Sequence, residues 1–278
     1  MSTRGENSGP VIVKIGGVAL ERQAESPEMW SAVLALHRSR LAAGSGGVLL
    51  VHGGGKAVDR LLDRLGLVSE RREGIRITTP EQIDVVTAVL AGSVNKSLVG
   101  CINRVASASG LPNRAVGLCL GDGGLCVSAK STRFSFDPGR VGDVAGGDGT
   151  LARVLFGGGF IPVLCSIGLD ESGKPLNINA DDAAAALVPV IGASGLVLMT
   201  DVPGIKNASG QVVGDLTPAI IERMIGSGEI SGGMIPKTRA AAQVATSTGA
   251  DVFIMSGEEP ANLTSWARGK PVGSRVHA

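Results

Sequence analysis

Val48-Leu49-Leu50-Val51-His52-Gly53-Gly54-Gly55-Lys56-Ala57-Val58 runs from an unbroken apolar segment, through three glycines, into a patterned one. The apolar segment has no polar alternation, as expected of a strand covered on both faces in a parallel sheet. Beyond the glycines, Val58, Leu61, Leu62 and Leu65 fall at i, i+3, i+4 and i+7, a single helical stripe. Working outward, the same kind of run recurs at Val11–Ile15, Arg114–Leu120, Phe160–Ser166, Leu196–Asp201 and Asp251–Met255, with helical patterns between. The alternation specifies an α/β fold around a mainly parallel sheet.

A long helix is expected from Pro80 to about Gly110. Thr79 would cap it, Pro80 would occupy its first turn, and Gln82 would complete a capping box. Its length makes it the candidate subunit interface. Two polar stretches read as hairpins: Val68–Thr78, turning at Glu73-Gly74, and the Gly-rich excursion Leu125–Asp148. Glu171-Ser172-Gly173-Lys174-Pro175 interrupts the apolar pattern and marks a lobe boundary, giving an N-terminal lobe 1–170 and a C-terminal lobe 171–278. No internal repeat is found. The stretch between Asp182 and Asp201 carries no charge, but Pro189, Gly192, Ser194 and Gly195 break it, so it reads as a helix and a buried strand rather than a membrane span.

Composition excludes several classes. Of 278 residues, 44% are hydrophobic and 18% charged, so the chain is globular. Aromatics are 3% with no Tyr, which argues against a single-stranded nucleic-acid platform. Lys+Arg 26 against Asp+Glu 25 leaves +1, without a basic stripe for duplex. Glycine, at 42 residues, is roughly twice its usual ~7% and belongs to turns and ligand loops. Cys101, Cys119, Cys126 and Cys165 form no Cys-x-x-Cys, and read as free buried thiols of a reducing cytoplasm. Nothing near the N-terminus reads as a signal peptide.

Five blocks could carry chemistry. In Lys14-Ile15-Gly16-Gly17 a lysine ends an apolar strand and therefore needs an anionic partner, either a structural carboxylate or a ligand. In His52-Gly53-Gly54-Gly55 the glycines at a helix N-terminus form an anion cradle, where a plain turn rarely needs three. His52 reads as structural. In Asn177-Ile178-Asn179-Ala180-Asp181-Asp182, capping explains Asn179 and Asp182 but leaves Asn177 and Asp181 over. Thr200-Asp201-Val202-Pro203-Gly204-Ile205 follows a buried strand, where ligands collect in open α/β sheets, or is simply a Pro-Gly turn. Ser231-Gly232-Gly233-Met234-Ile235-Pro236-Lys237 brings a second lysine after a glycine loop, or a surface lysine at a helix start. The dinucleotide fingerprint fails at Val58 and a Walker loop fails at Leu50, so a dehydrogenase is disfavoured. No metal-binding spacing occurs.

Taken in order, and joined by Gly74-Ile75-Arg76-Ile77-Thr78 and Leu120-Gly121-Asp122-Gly123, the blocks resemble the amino-acid kinase family, most closely its members that phosphorylate N-acetyl-L-glutamate. The resemblance implies a three-layer αβα sandwich whose N-terminal lobe binds the acyl-amino acid and whose C-terminal lobe binds ATP. It implies transfer from ATP to the γ-carboxylate, a step of arginine biosynthesis. Lys14 and Lys237 would flank the migrating phosphoryl group, Asp181 would orient both, and Gly17 and Gly54 would donate backbone hydrogen bonds. Gly54, Gly55, Arg76 and Asn177 would hold the substrate. Asp201, Val202, Pro203, Gly204, Ile205 and Lys206, with Glu229, Ile230 and Ser231, would hold the nucleotide, and Mg²⁺ would travel on the ATP phosphates. Sister kinases acting on free glutamate or carrier-bound aminoadipate remain alternatives; a catalytically silent sensor on the same fold is the other, and Lys14, Asp181 and Lys237 together argue against it. Arginine-inhibited members form hexamers through an added N-terminal helix. Here the ten residues before Val11 read as disordered, so a homodimer weakly sensitive to arginine is expected.

Overall fold

The computed structural model describes residues 8–21, 27–112 and 114–278. Its centre is an eight-stranded sheet in the order Asp215–Leu216, Ser274–Val276, Asp251–Ser256, Gly195–Thr200, Val11–Ile15, Val48–His52, Ile161–Cys165, Ala115–Cys119. Every pairing in it is parallel except that between Asp251–Ser256 and Ser274–Val276. All residues of Val48–His52, Ile161–Cys165 and Gly195–Thr200 are buried, because both faces are covered. Strand alternation divides the core. Val11, Val13 and Ile15 face a layer with Pro27–Ala42 and the helical run Ile83–Ala108. Ile12, Leu49, Val51 and Leu198 face Thr150–Gly157, Ala180–Ile191, Pro218–Gly226 and Met234–Thr248. The result is a three-layer αβα sandwich.

The expected segments recur with shifts of a residue or so at their ends. The run 182–201 becomes a helix ending at left-handed Gly192, with Pro189 in its last turn, and then the buried strand from Gly195. The stripe on Gly55–Arg64 is shorter than read: Val58 and Leu62 are buried, but Leu65 caps the helix and is exposed. The long helix begins at Ile83, not Pro80, because Thr79–Gln82 first closes a turn. Half of the predicted capping box survives there, with Thr79 N–H donating to Gln82 Oε1 at 3.3 Å. By length and composition Ile83–Ala108 could cross a membrane; its Val86, Leu90, Leu98 and Ile102 are core residues. It widens to a π-helix across Ala88–Val94, which the sequence pattern did not suggest.

The excursion 125–148 supplies strands Val127–Lys130 and Val141–Gly146 to a second sheet, completed by Ile167–Leu169 and Pro175–Ile178. The first hairpin pairs Arg71–Arg72 with Ile75–Arg76. Its turn residues Glu73 and Gly74 have φ of 51° and 83°, the positive pair a two-residue type I′ turn requires. Expected disorder before Val11 falls, for residues 1–7, outside the described residues. Gly9 and Pro10 correct it for their part: both are buried, with carbonyls accepting from Ser194 Oγ at 2.8 Å and Ser194 N–H at 2.9 Å.

Candidate active site

Lys14 lies on the same strand face as Ile12, so it points toward Ala180–Ile191 rather than into the opposite core layer. Its side chain is only 12% exposed, and an unpaired ammonium there would cost several kcal/mol. The partner is Asp181, in the first turn of that helix, with Oδ1 2.7 Å from Lys14 Nζ. Asn179 sets the turn, its Oδ1 accepting from Asp181 N–H at 2.8 Å and Asp182 N–H at 3.2 Å. The other Asp181 oxygen lies 3.9 Å from Lys237 Nζ, which comes from the first turn of Met234–Thr248. Two lysines separated by more than two hundred residues thus meet one carboxylate. Gly16 leaves room for this, since a Cβ there would stand 2.7 Å from Lys14 Nζ.

Lys237 also donates to Thr200 Oγ1 at 3.2 Å, and Thr200 donates to Asp201 Oδ1 at 2.8 Å. The Thr200 hydroxyl, and then the charges of Lys237 and Lys14, hold the Asp201 carboxyl below its ordinary range against opposing desolvation.

Beside this cluster lies a cleft of about 260 Å³ at the carboxyl ends of the central strands, lined in part by Lys14, Gly17, Gly54, Gly55, Arg76 and Asn177. Gly54 has φ 158°, and a Cβ on it would stand 2.8 Å from Leu90 Cδ2, so the π-helical segment closes down on the glycine loop. Arg76 is buried although it sits on a hairpin. It donates to Gly55 O at 3.1 Å and to Asp59 and Ser69. Asp59 also pairs with Arg71 at 3.0 Å. Hydrogen bonding from Arg76, reinforced by Ser69 and Arg71, holds the Asp59 carboxyl well below the carboxylate range. Asn177 Nδ2 donates to Thr78 Oγ1 at 3.0 Å, joining the second sheet to the hairpin's exit.

Sequence reasoning missed three polar lining residues, besides apolar ones such as Val86, Leu90 and Val141. Arg71 and Arg133 are exposed cations and Ser166 ends a buried strand; none belongs to a glycine-marked block. Arg133 comes from the 125–148 excursion and pairs with Asp182 at 2.8 Å and Asp143 at 2.5 Å. Thr200 was read as the head of a ligand-loop block, without a role of its own.

Residues 201–206 and 229–231 do not line this cleft. Glu229 Oε2 accepts from the N–H of Ala208, two residues beyond the first of these segments, at 3.0 Å. Ile205 and Ile230 are core residues. Ile205 donates its N–H to Ser274 Oγ at 2.8 Å and accepts from Val213 N–H at 2.8 Å, so it builds the loop from within. His52 is wholly buried, and desolvation, with Lys96 adding to it against the Gly53 carbonyl, lowers its pKa to about 4. Among the described cysteines all four are free thiols; Cys119 is half-buried, unlike the other three. Among the described residues no three His, Cys, Asp or Glu side chains converge as a metal cage.

The sequence fits the amino acid kinase family over residues 9–256. The chain is similar in structure to smu.665 from Streptococcus mutans UA159, with 25% identity, 97% of this chain and 98% of that one covered, and a TM-score of 0.76. N-acetylglutamate synthase from Neisseria gonorrhoeae, complexed with coenzyme A and N-acetyl-glutamate, is matched at 18% identity and TM-score 0.79, over 98% of this chain and 60% of the synthase. Carbamate kinase from Giardia lamblia bound to AMP-PNP is matched at 18% identity and TM-score 0.69, over 98% and 99% of the two chains.

Proposed function

The chain belongs to the amino acid kinase family, and from that premise we propose that it transfers the γ-phosphoryl group of ATP to the γ-carboxylate of N-acetyl-L-glutamate, giving N-acetyl-L-glutamyl 5-phosphate, a step of arginine biosynthesis. The observation that carries the reading is the meeting of Lys14 and Lys237 on the two oxygens of Asp181, beside a glycine-lined cleft. A carboxylate oxygen attacks the γ-phosphorus and the bond to ADP breaks. A glutamate side chain in water titrates at ~4.3, so the nucleophile is already ionised at neutral pH and no base is needed. The difficulty is bringing one anion to another. Two unit charges ~4 Å apart repel by about 4 kcal/mol at an effective dielectric of 20. Two ammonium groups offset that, and act most strongly where charge develops on the migrating group.

In this reading Asp181 keeps the two lysines aimed at one point, and Gly17 and Gly54 donate backbone N–H groups to the phosphoryl oxygens. Arg76 and Asn177, with Gly54 and Gly55, hold the acyl-amino acid. Arg76 already binds a carboxylate, that of Asp59, so its guanidinium is preset for such a group. Asp201–Lys206 and Glu229–Ser231 hold ATP beyond Lys237. Mg²⁺, which keeps few protein ligands, would travel on the ATP phosphates and neutralise their charge. The N-terminal lobe 1–170 serves the acyl-amino acid and the C-terminal lobe 171–278 serves ATP; two chains pair through Ile83–Ala108. Free thiols suit a reducing cytoplasm.

The test is trapping of acyl phosphate as hydroxamate, comparing N-acetylglutamate, glutamate and aminoadipate derivatives with ATP. Hydroxamate from N-acetylglutamate above the others is expected. Preference for another carboxylate assigns a sister kinase, and ATP binding without any hydroxamate assigns a sensor; either overturns the proposal.

A further inference from the structure

Buried polar groups around the glycine loop form a chain that ends at Gly54. Asn95, the first residue after the π-helical segment, donates from Nδ2 to Val163 O at 2.8 Å, and its Oδ1 accepts from Lys96 Nζ at 3.1 Å. A carbonyl only accepts, and an ammonium only donates, so the amide's orientation is fixed from both ends. The second Nδ2 hydrogen faces His52 Nε2 at 3.0 Å, which makes Nε2 an acceptor. The ring proton of neutral His52 is therefore on Nδ1, and it is donated to Gly53 O at 2.8 Å. The peptide between Gly53 and Gly54 is trans and planar, so its N–H points opposite to its C=O. With the carbonyl drawn back into the buried histidine, the Gly54 N–H is turned outward, at a residue that lines the cleft. Among the described residues that N–H has no acceptor.

We infer that His52 is a positioning residue: held as its Nδ1–H tautomer by Asn95, it anchors the Gly53 carbonyl and so aims the Gly54 N–H at the phosphoryl oxygen. The inference rests on the proposed phosphoryl transfer, in which Gly54 is a donor. Burial keeps the ring neutral, so the anchor does not switch with pH in the working range. The role belongs to the transition state more than to ground-state binding, because the donor's aim matters most where oxyanion charge grows.

The experiment compares His52→Leu, His52→Asn and wild type in steady-state kinetics with ATP and N-acetylglutamate, alongside thermal melting. An Asn amide at 52 can supply a donor near the Nδ1 position; Leu cannot. His52→Leu should lower kcat by about 10- to 100-fold, short of the 10²–10³-fold seen when an oxyanion donor is removed outright, with both KM values within about twofold. His52→Asn should recover most of that loss. A second measurement needs no variant: with only three histidines in the chain, ¹⁵N-edited NMR of the wild type should show the His52 ring as neutral Nδ1–H. An Nε2–H tautomer, or a folded His52→Leu enzyme turning over at the wild-type rate, or His52→Asn no better than His52→Leu, overturns the inference while leaving the proposed reaction standing. A wild-type protein that forms no acyl phosphate overturns the reaction itself, whatever the ring's tautomer.

Discussion

Asp59 accepts from Arg76 and Ser69 on one oxygen and pairs with Arg71 through the other, so a single carboxylate ties the hairpin to the helix that follows the glycine loop. Its folded-state pKa is depressed, so the stability it contributes is present above its unfolded value of ~3.9 and is lost as pH falls through the lower folded value. Asp59 is partly exposed and Arg76 buried, which puts the pair near the upper end of a surface bridge, about 1 kcal/mol. Urea melts of wild type and Asp59→Asn should therefore differ by a constant margin above about pH 5, and the margin should shrink below about pH 4. A margin that grows on acidification contradicts the assignment. At this scale the sequence was most informative where glycine or a misplaced charge broke an apolar pattern. Lys14 was legible because a strand lysine demands a partner, and Asp181 because capping left it over. Arg71 and Arg133 were not legible: an exposed arginine obeys every local rule, and only the tertiary fold brings it to the cleft.

Among the elements, strands buried on both faces were readable because an apolar run without alternation has one common explanation in an α/β chain. Pro27–Ala42 falls where a helical pattern was read between two strands, but its bounds were not legible. Met29, Trp30, Ala32, Val33, Leu34, Leu36 and His37 are buried on several sides of the helix, so no single apolar stripe marks it. The pairing of 127–130 with 141–146 was legible as a hairpin, but its extension by 167–169 and 175–178 into a small sheet was hidden, because those strands are short and one pairing joins segments distant in sequence. The π-helical turn at Ala88–Val94 left no compositional trace, yet it presses Leu90 and Val94 toward Gly54 and precedes Asn95. Such turns concentrate at functional sites, in keeping with its place here.

For the whole molecule, the strand Val11–Ile15 lies between Val48–His52 and Gly195–Thr200: the chain first builds Val48–His52, Ala115–Cys119 and Ile161–Cys165 on one side of it, then Gly195–Thr200 and the remaining strands on the other. Carboxyl ends of strands flanking such a point form a crevice, and the lysine cluster and the cleft both sit there. Fold class followed from the alternation of runs, whereas the convergence of residues 14, 181 and 237 came from recognising ordered blocks, since no local spacing relates them. Sedimentation of the purified protein should give a homodimer, and its turnover should be only weakly sensitive to micromolar arginine. A hexamer inhibited at that concentration contradicts the pairing proposed for Ile83–Ala108.

The sharing of one migrating phosphoryl group by two lysines is tested most directly by the turnover and ATP affinity of Lys14→Ala and Lys237→Ala. Each should lower kcat by about 10²–10³-fold while ATP affinity changes far less, as expected when a transition-state contact is removed. Wild-type turnover in both variants, or losses confined to ATP binding, would contradict it.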